Sequence, residues 1–276
     1  MERKEWMNPE NLNSRDGYDR IMFLKHLFPY KFIADYVTDK DVLEIGCGAG
    51  YGSKLLSATA KRITTFDRDT DSLDYAKKNN YCNNIAYVLG DISAGLPFKS
   101  KSFDIVVSFQ VIEHLSNKIL NIYLNEIIRV LKTGGQLYVT TPNRKVRLRF
   151  LQKPTNKFHI KEYSAKQLKR LLQQRFNLVE VTGIRSLPEI EKIEIRRSKQ
   201  SFFKAYFSGP ARIILLNLAK NLGVKKVIKW FENRSAKGKK SLITTSDESI
   251  HYSIEDFRVD SHNTDKSLDL MAICKK

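Results

Sequence analysis

The run from Asp41 to Gly50 constrains the fold of this chain more than any other feature of its sequence. It opens with Val42–Ile45, whose residues are typical of a buried strand. A turn with three glycines follows at once: Gly46, Gly48 and Gly50. An acidic residue, Asp67, stands at the end of the next predicted strand. A strand, a glycine turn, a helix and a distal carboxylate are together the parts of a nucleoside-binding half-site.

The spacing of the glycines narrows the choice of ligand. They fall as G-x-G-x-G, and Tyr51 stands where the dinucleotide pattern G-x-G-x-x-G requires its third glycine. No Lys-Ser or Lys-Thr pair follows the loop, so a phosphate-gripping P-loop is also excluded. A turn that lets backbone approach a ligand, but is not built for pyrophosphate, suits S-adenosylmethionine. We therefore expect that cofactor.

Strands and helices alternate from about residue 41 onward. Strands are predicted at Val42–Ile45, Arg62–Phe66, Ile85–Leu89, Asp104–Phe109, Gln136–Thr140, Leu178–Ile184 and Leu268–Cys274. Gly134-Gly135 is predicted to end the helix before the fifth strand, and Ser164 with Gln167 predicts a capping box before the sixth. Repeated strand–helix units require right-handed crossovers and a parallel sheet covered on both faces. The predicted class is therefore α/β.

Two segments lie outside this alternation. Residues 1–40 are predicted to form a helical cap over the site. Three of its ring side chains would face a partner: Tyr18, His26 and Tyr30. Residues 185–266 are predicted to be a basic, partly helical insertion before the last strand. The cofactor-binding core then comprises residues 41–184 and 267–276.

Five motifs in order resemble those of a known family. They are Val42–Gly50, Phe66-Asp67, Gly90–Ile92, Phe103–Leu115 and Arg129–Gly135. The chain resembles class I S-adenosylmethionine-dependent methyltransferases, in the type 11 branch with ubiquinone-type O-methyltransferases and glycan-modifying enzymes. The resemblance covers roughly residues 18–184 and the last strand. It implies an enzyme with a Rossmann-like sheet of seven strands, the last one antiparallel, and a helical insertion before that strand.

The resemblance also assigns cofactor-binding roles. Glu44 lies close to where the family orients the aminoacyl end of S-adenosylmethionine, and Asp67 can accept both ribose hydroxyls. Asp91 is where the family reads the adenine amino group. The full predicted set is Glu44, Gly46, Cys47, Gly48, Gly50, Asp67, Arg68, Asp91, Ile92 and Phe109. Core packing is the alternative for Phe109, and a surface salt bridge is the alternative for Glu44.

A second group of residues bears on the chemistry, because an oxygen that is methylated must lose a proton. The family branch often has Glu-x-x-Glu-His here, with a further His, and some members hold a divalent metal there. This chain keeps Glu113, His114 and His159 but has Gln110 in place of the first Glu. One carboxylate and two imidazoles could act as general base or coordinate a cation.

We therefore predict Glu113, His114 and His159 as catalytic residues without a dedicated metal site. The missing negative charge at Gln110 weakens any site for a divalent metal on the same three residues. Simple hydrogen bonding within the loop after the fourth strand is the remaining alternative.

The positive charge of the chain is concentrated in one segment. The net charge is +18, and residues 144–240 hold 26 Lys and Arg against 6 Asp and Glu. Such a segment favours an anionic partner: a phospholipid surface, a phosphate-bearing substrate or RNA. A solvated, lysine-rich surface is the alternative for the scattered lysines. Aromatic and aliphatic residues interleave with lysines over residues 200–231, which predicts contact with an anionic membrane or a lipid-linked acceptor. A pocket wall with solvated lysines is the alternative.

The predicted function is O-methylation of a small or lipid-linked acceptor of the glycan or quinone class. An RNA 2′-O-methyltransferase and a non-catalytic S-adenosylmethionine-binding module are the alternatives. The cysteines Cys47, Cys82 and Cys274 have neither metal nor disulfide spacing and suit a reducing cytoplasm. No signal-peptide pattern and no apolar run of about 18 residues is seen. We therefore expect a cytoplasmic protein, with peripheral contact at the inner membrane face.

Overall fold

The structure, a computed structural model, describes residues 17–148, 152, 154, 156–196 and 252–276. The segment 200–231, for which membrane contact is predicted, lies outside the described residues. The chain divides into two compact units, Met1–Leu187 with Tyr252–Lys276, and Pro188–His251. Within the described ranges, no helix has the length and apolar character needed to cross a bilayer.

The first unit alternates strands and helices as predicted. Its helices are α1 (Gly17–Ile33), α2 (Tyr51–Leu56), α3 (Thr70–Asn79), α4 (Asn117–Val130), α5 (Arg144–Arg147) and α6 (Ala165–Leu172). Its strands are β1 (Asp41–Ile45), β2 (Arg62–Asp67), β3 (Ile85–Leu89), β4 (Phe103–Phe109), β5 (Leu131–Pro142), β6 (Leu178–Ser186), β7 (Phe257–Asp260) and β8 (Asp269–Lys275). In the second unit, residues 188–196 are helical.

The strands form one sheet in the order β3-β2-β1-β4-β5-β8-β6-β7. Strands β1 to β5 pair in parallel, and β8 is antiparallel to both of its neighbours. The predicted antiparallel last strand is therefore confirmed. Over the described residues the sheet has eight strands where seven are predicted, because Phe257–Asp260 pairs with Gly183–Ser186 inside the segment expected to be an insertion. A strand of only four residues, two of them charged, has too little periodicity to be recognised in the sequence.

Burial explains why the central strands form where they do. In β4 the burial pattern runs almost without a break, as expected for a parallel strand covered on both faces. Two apolar clusters pack on the faces of the sheet. One is centred on Leu43, Val106, Tyr123, Ile127 and Leu137, and the other on Ile33, Val42, Leu56, Ile63 and Val107.

The helix boundaries agree with the predictions in one case and correct them in another. The Ser164–Gln167 capping box is present at the start of α6. Helix α4, in contrast, ends at Val130 and β5 begins at Leu131, so Gly134-Gly135 lies within a strand and does not end the helix. Gly134 has a φ of 75°, a left-handed conformation that glycine adopts without strain. It lies where the pairing of β5 with β4 shifts register.

The sheet order places the functional residues at one edge. The direction of strand order reverses between β1 and β4, which opens a crevice beyond their carboxyl ends. The glycine turn follows β1, Asp67 ends β2, Asp91 follows β3, and the Gln110–His114 run follows β4. These segments therefore face the same end of the sheet.

Candidate active site

The glycine turn has the backbone that its sequence predicts. Gly46, Gly48 and Gly50 have φ angles of 79°, 50° and 75°. A Cβ at Gly46 would collide with Val111 Cγ2, and a Cβ at Gly50 would lie 2.7 Å from Ala76 Cβ. At Gly46 and Gly50, packing within the protein therefore requires glycine, whether or not a ligand also approaches the turn.

The Asp67 carboxylate is held in a fixed orientation at the end of β2. Its Oδ2 accepts a hydrogen bond from the Gly48 N–H at 2.9 Å, and its Oδ1 accepts one from the Asp69 N–H at 3.0 Å. Burial raises the pKa of Asp67, and these two hydrogen bonds oppose the rise. Since a carboxylate offers about four lone-pair sites, each oxygen can still accept a hydroxyl from a ligand.

The remaining predicted cofactor residues differ in exposure. Asp91 is exposed, and its Oδ1 accepts the Ser93 N–H at 2.7 Å, which lowers the pKa of Asp91. Arg68 is also exposed, whereas Ile92 and Cys47 are buried.

Phe109 and Glu44 both contact Tyr30 of α1. The ring of Phe109 is buried and meets the ring of Tyr30 edge to face at 4.8 Å. Glu44 is fully buried, so it does not form the surface salt bridge considered as an alternative. Its carboxylate accepts hydrogen bonds from the hydroxyls of Tyr30, at 2.5 Å, and Ser53. The predicted cap residue Tyr30 is therefore part of the wall beneath the glycine turn.

Glu113, His114 and His159 come together at the carboxyl end of β4. One donor atom from each lies within 4.8 Å of the other two, and the two imidazole rings meet edge to face at 4.8 Å. The Glu113 Oε2 accepts the Thr141 hydroxyl at 3.0 Å, whereas Oε1 is buried and has no hydrogen-bond partner among the described residues. Burial raises the pKa of Glu113 to about 7, although His114 and Thr141 favour the ionised form.

The two histidines are oriented by the segment 156–163. His114 Nδ1 lies 3.0 Å from the Phe158 carbonyl, so this nitrogen carries a hydrogen and Nε2 is the acceptor of the neutral ring. His159 Nδ1 lies 2.9 Å from Glu162 Oε1, which also accepts from Arg147 Nε at 3.1 Å. Burial lowers the pKa of His159 and outweighs the opposing effect of its hydrogen bond to Glu162, so the neutral ring is favoured near pH 7.

Gln110, the residue that departs from the family pattern, has its own buried partners. It adopts a φ of 57°, in the left-handed region that non-glycine residues rarely occupy. Its Nε2 donates to Asp269 Oδ2 at 3.0 Å, and Asp269 Oδ1 lies 3.4 Å from Lys25 Nζ. Lys25 and Asp269 are 2% and 1% exposed, so this ion pair connects α1 to β8 in the interior.

Only some of these residues have a recognisable signal in the local sequence. The predicted cap residue His26 is half-buried, and its pKa falls to about 3, chiefly through burial and the neighbouring charges of Lys25 and Arg147. Helix α1 therefore lies near His159, and its role as a cap over the site stays a prediction. Lys25 and Asp269 were missed because these two partners are distant from each other in sequence. Glu162 was missed because it belongs to no recognised motif. Tyr18 lies outside the residues whose side chains are described.

Comparison with known proteins finds similarity to methyltransferases over part of the chain. Residues 43–139 match the family model of a methyltransferase domain. A Mycolicibacterium smegmatis protein named a probable S-adenosylmethionine-dependent methyltransferase is 35% identical over 171 residues, which are 60% of this chain and 63% of that protein. A ubiquinone biosynthesis O-methyltransferase of Bartonella tribocorum is 25% identical over 149 residues, 51% of this chain and 60% of that one. The chain thus spans less than two thirds of the length of these relatives.

The fold is similar to that of methyltransferases whose structures have been solved. The structure of an S-adenosylmethionine-dependent methyltransferase from Thermotoga maritima superposes with a TM-score of 0.53 and 16% identity, covering 97% of each chain. At this identity the likeness concerns the fold alone. The matched domain and the order of the strands show a methyltransferase-type fold, and residues 43–139 are similar to the methyltransferase-domain family.

Proposed function

We propose that this chain is an S-adenosylmethionine-dependent methyltransferase that methylates an oxygen of a small or lipid-linked acceptor, of the glycan or quinone class. One observation carries the proposal: the buried Glu113 carboxylate, with one unpaired oxygen, lies against two imidazoles at the same edge of the sheet as the glycine turn. The names of the relatives support methyl transfer, and the ubiquinone enzyme among them supports an oxygen acceptor.

The residues at this edge fit S-adenosylmethionine. Asp67 has a fixed carboxylate with free lone pairs, and Asp91 is exposed at the end of the next strand, so two acceptors are available for ribose and adenine. When bound, S-adenosylmethionine supplies an activated methyl group together with its own leaving group. The protein must then align the acceptor oxygen and remove its proton.

Glu113 is suited to that proton transfer. A general base works best when its pKa is near the working pH, and burial brings the pKa of Glu113 to about 7. Because Oε2 is occupied by Thr141, the proton would be taken at Oε1. His159, neutral and hydrogen-bonded to Glu162, can carry the proton onward from the cluster.

A divalent metal on Glu113, His114 and His159 is the second candidate, favoured by the same unpaired carboxylate oxygen. Bonds from Mg²⁺ or Zn²⁺ to nitrogen or oxygen are about 2.1 Å long, so two ligand atoms of one such ion are at most about 4.2 Å apart. The donors here spread to 4.8 Å, so the side chains would have to close around such an ion. Gln110 contributes no negative charge, and its amide nitrogen is bound to Asp269.

The decisive experiment is methyl transfer from labelled S-adenosylmethionine to lipid, polysaccharide and RNA fractions. We expect label in the lipid or polysaccharide fraction. Glu113→Gln and His159→Ala should lower kcat at least 100-fold, the lower end of what a positioned acid or base contributes, while S-adenosylmethionine affinity stays unchanged. Glu180→Gln, the same change at an exposed position of β6, is the matched control.

Each other outcome has a distinct meaning. Label in RNA would favour the RNA 2′-O-methyltransferase. Cofactor binding without transfer to any fraction would favour the non-catalytic module. Full activity in both variants would remove the catalytic role of the cluster, and loss of activity in chelator with recovery on adding a divalent cation would favour the metal.

A further inference from the structure

A group of cations borders the Glu113 cluster and is used by none of the steps above. We call Arg144, Lys145, Lys157 and Lys161 the basic rim. Lys145, Lys157 and Lys161 are exposed, and Arg144 is half-buried. Two of the four come from α5, directly after β5, and two come from the segment 156–163.

Backbone contacts hold the two halves of the basic rim together. The Arg144 N–H donates to the Tyr163 carbonyl at 3.0 Å, and Asn143 forms a parallel bridge with Tyr163. The Asn143 side chain caps α5 by accepting the Lys145 N–H at 3.0 Å. The segment 156–163 therefore runs beside α5.

The same segment touches the proposed base. The N–H groups of Ile160 and Lys161 donate to the Glu113 carbonyl at 2.8 and 3.1 Å. The Phe158 carbonyl holds His114. The segment that carries Lys157 and Lys161 is therefore hydrogen-bonded directly to the backbone of Glu113.

Little in the described structure neutralises these cations. Over residues 143–148 and 156–163 the only carboxylate is that of Glu162, which is buried and engaged by Arg147 and His159. Lys145 and Asp265 approach to 3.8 Å, but both are more than half exposed, so water screens that pair. Among the described residues, Arg144, Lys157 and Lys161 form no ion pair.

Aromatic rings support two of the ammonium groups in place of carboxylates. Lys157 Nζ lies 4.6 Å from the centre of the Phe158 ring, and Lys161 Nζ lies 5.1 Å from that of Tyr163. A ring face attracts a cation without neutralising it, so the positive charge stays available to a ligand.

We propose that the acceptor carries a phosphoryl group, and that the basic rim binds this group while a hydroxyl of the same molecule reaches Glu113. The inference rests on the proposed function, because Glu113 defines the reacting end. Three of these cations have no counterion among the described residues, and the pair of the fourth, Lys145, with Asp265 is screened by water. A single carboxylate would not neutralise such a group, and arginine and lysine are the usual donors to phosphoryl oxygens. The phosphoryl group belongs either to a lipid headgroup or to a soluble phosphate ester.

Binding experiments test the basic rim separately from catalysis. The probes are vesicles of phosphatidylglycerol in phosphatidylcholine, followed by co-sedimentation, and soluble glycerol 3-phosphate, followed by calorimetry. The rim variant is Arg144→Gln with Lys157→Gln and Lys161→Gln. Each cation near an anionic surface contributes about fivefold, so we expect roughly 100-fold weaker vesicle binding at low salt. For glycerol 3-phosphate we expect a loss of at least about tenfold, from the charged hydrogen bonds removed.

Two controls keep the result interpretable. Lys77→Gln with Lys78→Gln and Lys99→Gln removes the same charge from exposed positions elsewhere in the first unit and should bind as the parent does. Lys157→Arg with Lys161→Arg keeps the charge and should retain binding. Urea midpoints compare the folding of all variants.

The outcomes separate the two proposals. Rim-dependent binding to vesicles alone identifies a lipid headgroup, and rim-dependent binding to glycerol 3-phosphate alone identifies a soluble ester. Absent binding to both probes, or binding unaffected by the rim variant, would overturn the inference. Methyl transfer with an unchanged KM in the rim variant would also overturn it while leaving the proposed function standing. Rim-dependent binding without transfer to any fraction would remove the proposed function and leave the phosphoryl site.

Discussion

Replacing Glu113 by Gln should stabilise the protein, but only above about pH 5. Burial raises the pKa of Glu113 from 4.5 to about 7. Below pH 4.5 the carboxyl is neutral in both the folded and unfolded states, so the parent and Glu113→Gln should have equal free energies of unfolding. As the pH rises to 7, the unfolded chain loses its proton first, and the parent loses stability relative to the variant.

The size of the effect follows from the same pKa. A shift of one pKa unit corresponds to about 1.4 kcal/mol. The rise in the pKa of Glu113 from 4.5 to about 7 therefore lowers the free energy of unfolding of the parent by about 3 kcal/mol at pH 8, relative to Glu113→Gln. Glutamine has nearly the shape of glutamate and can still accept the Thr141 hydroxyl, which keeps packing losses small. Urea unfolding of both proteins at pH 4 and pH 8 measures the difference.

Glu162→Gln is the matched control, because the Glu162 carboxylate is also buried but accepts hydrogen bonds from Arg147 and His159. Burial disfavours the charge of Glu162, yet hydrogen bonds from His159 and Arg147 outweigh it and lower its pKa. Glu162 therefore stabilises the fold above the unfolded pKa, and that contribution disappears as the pH falls. Glu162→Gln should destabilise at pH 8. If Glu113→Gln destabilised the protein at pH 8 as well, the folded environment would favour the ionised form of Glu113, and our account of that environment would be wrong.

Three further predictions concern the cofactor side. Asp67→Ala should weaken S-adenosylmethionine binding by about 1.5–3 kcal/mol for each ribose bond lost, measured by calorimetry, and unchanged affinity would refute the ribose assignment. Gly46→Ala should cost about 1–3 kcal/mol in urea unfolding because of its positive φ and its collision with Val111, and adding Val111→Ala should recover part of that loss. Tyr30→Phe should cost about 1–3 kcal/mol by leaving a buried oxygen of Glu44 without its donor, whereas an unchanged urea midpoint would mean that this bond is not formed.

Much of the fold could be predicted because its signals are local. β3 begins and ends at the predicted residues, and the Ser164 cap sits where the S-x-x-Q pattern places it. The boundary between α4 and β5 was wrong because two adjacent glycines usually end a helix. Here Leu131 already pairs with Phe103 across the sheet, so tertiary pairing overrides the local preference.

The candidate site was less predictable, because its electrostatics depend on distant pairs. Glu113, His114 and His159 could be named from a motif, and the structure brings them together. No pattern links Lys25 to Asp269, which are 244 positions apart. The pKa of Glu113 also depends on burial that only the assembled sheet creates.

The position of β8 has a consequence for synthesis on the ribosome. This strand lies between β5 and β6, yet it is translated after both, and residues 187–268 must be made before it emerges. At about 5–20 residues per second, the interval is roughly 4–16 s. During that time β5 has an open edge beside Leu137 and Val139, which are buried in the finished fold. A nascent chain that stalls before Asp269 would therefore be a substrate for chaperones and aggregation, and β6 with β7 could join the sheet only when the final strand arrives.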